Sequence, residues 1–279
     1  MSLLFKRSTI QWCEEKSSSY KYSSYIAEFY NSLTGFCLCL SACIFYYNYK
    51  KSKLYINKLE NSLILLFLVG IGTFLFHSTL LYIFQMTDEI PMLLLSCEYY
   101  YLVSSFKLSK YTYYPVTNTF KYNVYGISVI VFIVGFVNNF LQVLIFQSSL
   151  IYIIGLILYK FYLFNLSIDI YLQRLYKSKE SLQEQYIYHY HVHNKLKMVK
   201  KNIRIISELY NNIKNYKKIG FILTASSVIV WFLDKNYCEY INIHGHAIWH
   251  VLTSIGLFYL NKIMITYLQL IYQVTYIIV

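Results

Sequence analysis

The chain has 279 residues, 57% of them hydrophobic and only 14% charged, with a formal net charge of +12 and a mean hydropathy of +0.41. Soluble domains carry about 25% charged residues, so the composition excludes an ordinary soluble domain and points to a protein solvated by lipid. The basic residues lie between apolar runs rather than on one soluble unit, which reads as membrane topology and leaves no nucleic-acid partner to expect.

Two prolines, Pro91 and Pro115, and nine glycines disfavour a loop-rich chain. The thirty-three Tyr and nineteen Phe accompany many Lys, Asn and Ile, a nucleotide bias that makes most of the tyrosines compositional. The stretch Met1 to Cys13 is short, polar and charged, unlike a signal peptide, so the first apolar helix is expected to act as its own insertion signal.

Residues 1–31 are polar and aromatic, with Glu14, Glu15 and Glu28. A first apolar run spans Ser32 to Tyr47 and a second spans Leu63 to Phe84, carrying Thr73 and His77. A short turn with Asp88 and Glu89 precedes a third run, Ile90 to Phe106. The fourth, Val124 to Val137, is broken by Asn138-Asn139 from the fifth, Leu144 to Leu166. After a hydrophilic stretch at 173–218 come the sixth, Ile219 to Leu233, and the seventh, His246 to Leu268, with an apolar tail to Val279. A bilayer core takes ~20 apolar residues per helix. The expected fold is therefore an all-α integral membrane protein, a seven-transmembrane helix bundle over 32–279 behind an N-terminal segment.

Lys50, Lys51, Lys53 and Lys58 separate runs one and two, and Lys107, Lys110 and Lys121 separate three and four. Eleven Lys and Arg occupy 173–218, from Arg174 to Lys218. Basic loops face the cytosol, which predicts a lumenal N-terminus and a cytosolic C-terminus; Lys6, Arg7, Lys16 and Lys21 run against it. The 173–218 stretch reads as a low-complexity insertion with a solvated helical part. Its His189, His191 and His193 alternate without a Cys or acidic companion, which disfavours a metal site there.

His246 and His250 stand four apart and share one face of a helix. In a seven-span topology the end of span two, the start of span three and the start of span seven meet at one membrane face, bringing His77 and Asp88 to that pair. Thr73 lies four before His77, one turn deeper. Three imidazoles leave the fourth position of a tetrahedral zinc open, the catalytic rather than the structural pattern. The helix lacks the glutamate of a His-Glu-x-x-His site, so Asp88 is the nearest proton carrier. Glu89 either shares its work or solvates the turn, and His244 reads as a flanking, solvated residue. Glu98, mid-span, either meets a polar group of a lipid in a substrate cavity or makes an interhelical hydrogen bond. Cys37, Cys39, Cys43 and Cys97 behave as small core residues; Cys13 and Cys238 lie outside the apolar runs.

Trp12-Cys13-Glu14-Glu15, Tyr25-Ile26-Ala27-Glu28-Phe29-Tyr30-Asn31-Ser32 and Gly70 to Leu80 resemble, in order, motifs of the alkaline ceramidases. So do Gln85 to Met92, Trp231-Phe232-Leu233-Asp234 with Cys238, and His246-Ala247-Ile248-Trp249-His250. The resemblance implies an intramembrane amidase of the endoplasmic reticulum or Golgi. Such an enzyme splits ceramide into a sphingoid base and a fatty acid, with no obligate protein partner inferred. It implies zinc on His77, His246 and His250, Asp88 as acid and base, and Thr73 supporting the oxyanion where the family has Ser. It also implies calcium at Gln11, Trp12 (by its carbonyl), Glu14, Ser19 and Glu28. Gln11 stands where the family has Asp, and Ser19 where it has Asn, so fewer charged ligands predict weaker Ca²⁺ binding. Cys13 and Cys238 match the family's disulfide, and no stretch of comparable length in the family matches 173–218. The competing reading is a seven-span receptor of the adiponectin/progestin receptor type, which shares a similar zinc site; a membrane protein with haem on its histidines is a third.

Overall fold

The computed structural model describes residues 5–51, 57–106, 118–186, 192–238, 240 and 244–277. Among them the chain forms eight helices: α1 (Cys13–Ser18), α2 (Phe29–Lys51), α3 (Asn57–Thr79), α4 (Tyr82–Ser104), α5 (Asn118–Val134), α6 (Asn139–Tyr186), α7 (His193–Asn236) and α8 (Gly245–Ile277). Five of these, α2, α3, α6, α7 and α8, are long and apolar enough to cross a membrane. Helix α4 matches α2 and α3 in length at 23 residues, and α5 is a shorter apolar helix. The protein is an all-α membrane protein.

Lipid exposure explains which faces are polar and which are not. Val129, Ile130 and Ile133 of α5, Ile151, Leu158 and Tyr162 of α6, and Phe221, Val228 and Ile229 of α7 all point outward. Water would penalise so many exposed apolar side chains, whereas hydrocarbon does not. The interior is filled by Phe45, Leu66, Leu93, Leu102, Ile153, Ile168 and Tyr267. Helix α2 packs between α3 and α8, α4 between α3 and α6, and α7 along α8.

Two expectations from the sequence shift. The turn expected at Asp88-Glu89 falls instead at Leu80-Leu81, and both acids sit inside α4. An unbroken apolar run, Leu80-Leu81-Tyr82, hides this turn. It is made by Leu80 in the left-handed region (φ 54) and by backbone pairing with the N-terminal segment, in which Ser8 N–H donates to Leu80 O (2.9 Å) and Tyr82 N–H to Lys6 O (2.8 Å). The helical part expected in the 173–218 stretch is extensive: α6 reaches into it as far as Tyr186 and α7 begins within it at His193, as the two packed arms of a helical hairpin. Leu196, Ile203, Ile206, Tyr210 and Ile213 form a buried stripe at helical spacing along its second arm, and Tyr210 Oη donates to Asp169 Oδ2 across the two arms (3.0 Å). His193 starts α7 and is exposed, while His189 and His191 lie outside the described residues.

The N-terminal segment laces three connections at one end of the bundle. Besides the α3–α4 turn, Lys6 Nζ donates to Gly135 O (2.6 Å) and Asn139 Oδ1 (2.8 Å) between α5 and α6. Cys13 is disulfide-bonded to Cys238 between α7 and α8, with Cα atoms 5.2 Å apart. Arg7 pairs with Glu15. Lys6 and Arg7, which run against the charge rule, thus have local partners at this end.

Candidate metal and catalytic site

At the laced end of the bundle, α3 contributes His77 and α8 contributes His246 and His250, and one ligand nitrogen from each lies within 4.8 Å of the others. All three are buried: 0%, 3% and 1% exposed. Among the described residues this is the one group of three or more metal-type side chains so assembled.

Each ring is held differently. His77 Nδ1 pairs with Glu28 Oε2, and its buried Nε2 has no partner. A carboxylate on Nδ1 fixes the tautomer and leaves the Nε2 lone pair for a metal. His250 Nδ1 stands 3.0 Å from Thr34 Oγ1. That hydroxyl also lies 2.8 Å from Tyr30 O, to which it donates. A hydroxyl has one proton, so Thr34 Oγ1 accepts from His250 and the Nε2 of that ring is left with a lone pair. His246 has a buried Nδ1 with no partner, and its ring lies nearly parallel to the indoles of Trp12 (3.7 Å, 17° between planes) and Trp249 (5.0 Å, 19°).

The start of α8 is fixed by Asp234, whose Oδ1 accepts from His246 N–H (3.1 Å) and whose Oδ2 accepts from Cys13 N–H (3.2 Å). The buried carboxylate so joins α7, α8 and the N-terminal segment, and at a helix N-terminus it satisfies otherwise unpaired donors. Gly245 must be small here: a Cβ would come within 3.0 Å of Asp234 Cβ and 3.2 Å of Val230 O.

Thr73 and Asp88 meet one turn deeper, with Thr73 Oγ1 2.8 Å from Asp88 Oδ1 and 2.8 Å from Val69 O. This contact depends on close approach of α3 and α4. Pro91 lacks the N–H that would bond Thr87 O, and Gly72 packs directly against that carbonyl, where a Cβ would clash. Glu89 neither shares the site nor solvates a turn: it is 4% exposed, with Oε1 accepting from Gln85 Nε2 (2.7 Å) and Oε2 from Gln142 Nε2 (2.5 Å). Glu98 faces Lys121 of α5 at 3.4 Å. His244 stands outside the trio, with its ring 4.4 Å from that of Tyr30.

Of the residues matched to a calcium site, Gln11, Trp12, Glu14 and Glu28 each make contacts within the protein. Glu14 accepts from Tyr30 N–H (2.7 Å) and Asn31 N–H (2.9 Å), capping the start of α2. Burial raises its carboxyl above the usual range, and these two backbone donors pull it back down. Trp12 O accepts from Lys16 N–H within α1 (3.3 Å). Gln11 is exposed and its amide faces Glu15 (3.4 Å); Ser19 ends α1. Glu28 and Asn31 are 0% exposed and joined by Asn31 Nδ2 donating to Glu28 Oε2 (3.1 Å). Glu28 Oε1, Asn31 Oδ1 and Glu15 Oε2 are buried acceptors with no donor.

The sequence reading missed Thr34, and it named Asp234, Asn31 and Trp12 without the contacts that their side chains make here. A signal for Thr34 exists: it lies three after Asn31, on one side of an otherwise apolar helix.

A family model described as Ceramidase matches residues 5–276. The chain is 28% identical over 270 residues to alkaline ceramidase YPC1 of Saccharomyces cerevisiae, covering 90% of this chain and 74% of the yeast protein. It is 28% identical over 262 residues to the alkaline ceramidase of Arabidopsis thaliana, covering 92% and 82%. With alkaline ceramidase 3 of Mus musculus it shares 22% over 282 residues, covering 95% and 85%. A match running through nearly the whole chain does not favour the receptor reading, and the chain belongs to the ceramidase family.

Proposed function

We propose that this protein hydrolyses the amide bond of a ceramide-type lipid within the membrane, releasing a sphingoid base and a free fatty acid. The observation that carries the reading is the buried trio His77, His246 and His250 beside the Thr73–Asp88 pair, in a chain of the ceramidase family.

The donor set fits zinc. Three neutral imidazoles, two with their second nitrogen held by Glu28 and Thr34, make a three-ligand site of the kind that leaves a position for substrate or water. Zinc bound there would supply polarisation of the amide carbonyl and a water acidic enough to react near neutral pH. Asp88 accepts the proton of the attacking water and returns it to the leaving nitrogen. The Thr73 hydroxyl donates to the oxygen that develops negative charge. Before substrate arrives, its one proton goes either to Val69 O or to Asp88.

We read α4 and α5 as the two remaining spans of a seven-span bundle. The laced end is then lumenal, the hairpin of α6 and α7 and the C-terminus are cytosolic, and the organelle is the endoplasmic reticulum or Golgi. The Cys13–Cys238 disulfide supports this side, since disulfides persist in oxidising compartments.

The test is incubation of detergent-purified protein with ceramides of several chain lengths, untreated, after chelation and after zinc is restored. Sphingoid base should appear, vanish on chelation and return with zinc. No release from any ceramide would sink the reading, and intact turnover in zinc-loaded Asp88→Asn would sink the role of Asp88.

A further inference from the structure

His77 and His250 have their rings locked by hydrogen bonds that Nδ1 donates to Glu28 and Thr34. His246 has no such partner on Nδ1. A histidine ring turns about a soft torsion with a broad energy well, so something else must hold the imidazole plane. Trp12 stacks on it at 3.7 Å and 17°, and Trp249 lies nearly parallel at 5.0 Å and 19°.

The indole of Trp12 is held against this ring. It is buried, 4% exposed, although its Nε1–H finds no acceptor, which is unfavourable for the donor. Trp231 in turn meets the Trp12 ring edge to face at 6.1 Å. Cys13, the neighbour of Trp12, is bonded to Cys238, and Cys13 N–H is tied through Asp234 to the backbone of His246 itself. The indole and the imidazole therefore share one rigid frame.

We propose that Trp12 is a positioning residue that fixes the ring plane of the metal ligand His246, with the Cys13–Cys238 disulfide holding the indole in place. The proposal rests on the reading of His77, His246 and His250 as metal ligands. Partners that orient a ligand are worth roughly 10–100-fold in metal affinity, and ring stacking, closest from Trp12, does here what a hydrogen bond does for the other two rings.

The experiment measures Zn²⁺ affinity of the full-length, detergent-purified apo-protein by competition with a chelator, and ligand geometry from the visible absorption of the Co²⁺-loaded form. Trp12→Leu should bind Zn²⁺ about tenfold or more weakly and shift the Co²⁺ bands, while Trp12→Phe should recover most of the affinity. Trp231→Phe, which alters the edge contact with Trp12 and the Lys235 contact with the ring but not the stacking on His246, should stay close to the wild type. Cys238→Ser keeps the indole but releases its tether, so it should weaken binding even where Trp12→Leu does not fold. Wild-type affinity in a folded Trp12→Leu, or in Cys238→Ser, overturns the proposal. So does an equal loss in Trp231→Phe, which would make the effect general packing. A wild-type chain that binds no Zn²⁺ or Co²⁺ overturns the metal reading together with this one. A chain that binds metal regardless of Trp12 overturns this one alone.

Discussion

Thr73 Oγ1 lies 2.8 Å from Asp88 Oδ1, across the α3–α4 interface and away from the turn where the sequence placed the acid. The hydroxyl is 1% exposed, so no water stands in for it if it is lost. Thr73→Val keeps the shape and removes the hydroxyl. It should lower kcat by about 10²–10³-fold, the usual loss for an oxyanion donor. Thr73→Ser should keep kcat within severalfold of the wild type. A Thr73→Val protein with unchanged kcat would remove Thr73 from the chemistry.

Glu28, matched from sequence to a calcium site, also pairs with His77 Nδ1. Both side chains are fully buried. Glu28→Gln keeps the volume but weakens the acceptor, and the tautomer of His77 is no longer fixed by a charge. Zinc affinity should fall roughly 10–100-fold, with kcat largely restored when zinc is supplied in excess. An unchanged affinity in competition with a chelator would mean that the carboxylate does not orient the ligand.

Gly72 is the packing counterpart of this chemistry. Its Cα lies against the Thr87 carbonyl that Pro91 leaves without a helical donor. Gly72→Ala forces α3 and α4 apart next to the Thr73–Asp88 contact. Overpacking of this kind costs about 1–3 kcal/mol, visible as a lower Tm. The activity lost should exceed what the folded fraction explains, because the Thr73 and Asp88 side chains proposed to act together separate. A normal Tm with normal kcat would show that the interface has slack.

These three cases also mark how far the sequence could be read. The histidine pair was legible because helical spacing puts residues four apart on one face, and His77 followed from counting spans. The α3–α4 turn was not legible, since it depends on Leu80 adopting a positive φ and on backbone pairing with Lys6 and Ser8, neither of which leaves a polar mark. The hairpin was half legible: its charges were plain, but its buried stripe at Leu196, Ile203, Ile206, Tyr210 and Ile213 lay under the basic composition. The partners of the three histidines were the hardest to find. Thr34 and Asp234 act at 216 and 12 residues' separation, and only the folded bundle pairs them.

The N-terminal oxygens give the last test. Glu28 Oε1, Asn31 Oδ1 and Glu15 Oε2 are buried acceptors without donors, close to Glu14, and an all-oxygen set suits a hard cation such as Ca²⁺. Arg7 already partners Glu15, Glu14 is used by two backbone amides, and Gln11 brings no charge. Binding should therefore be weak, with Kd on the order of 10⁻⁴–10⁻³ M, and should raise the Tm of zinc-loaded protein only at millimolar Ca²⁺. Gln11→Asp adds a carboxylate beside this set and should move the Ca²⁺ response to lower concentration, with Mg²⁺ much less effective because it demands a tighter octahedral cage. A Tm indifferent to Ca²⁺ in both the wild type and Gln11→Asp would mean that these oxygens hold the N-terminal segment without any cation.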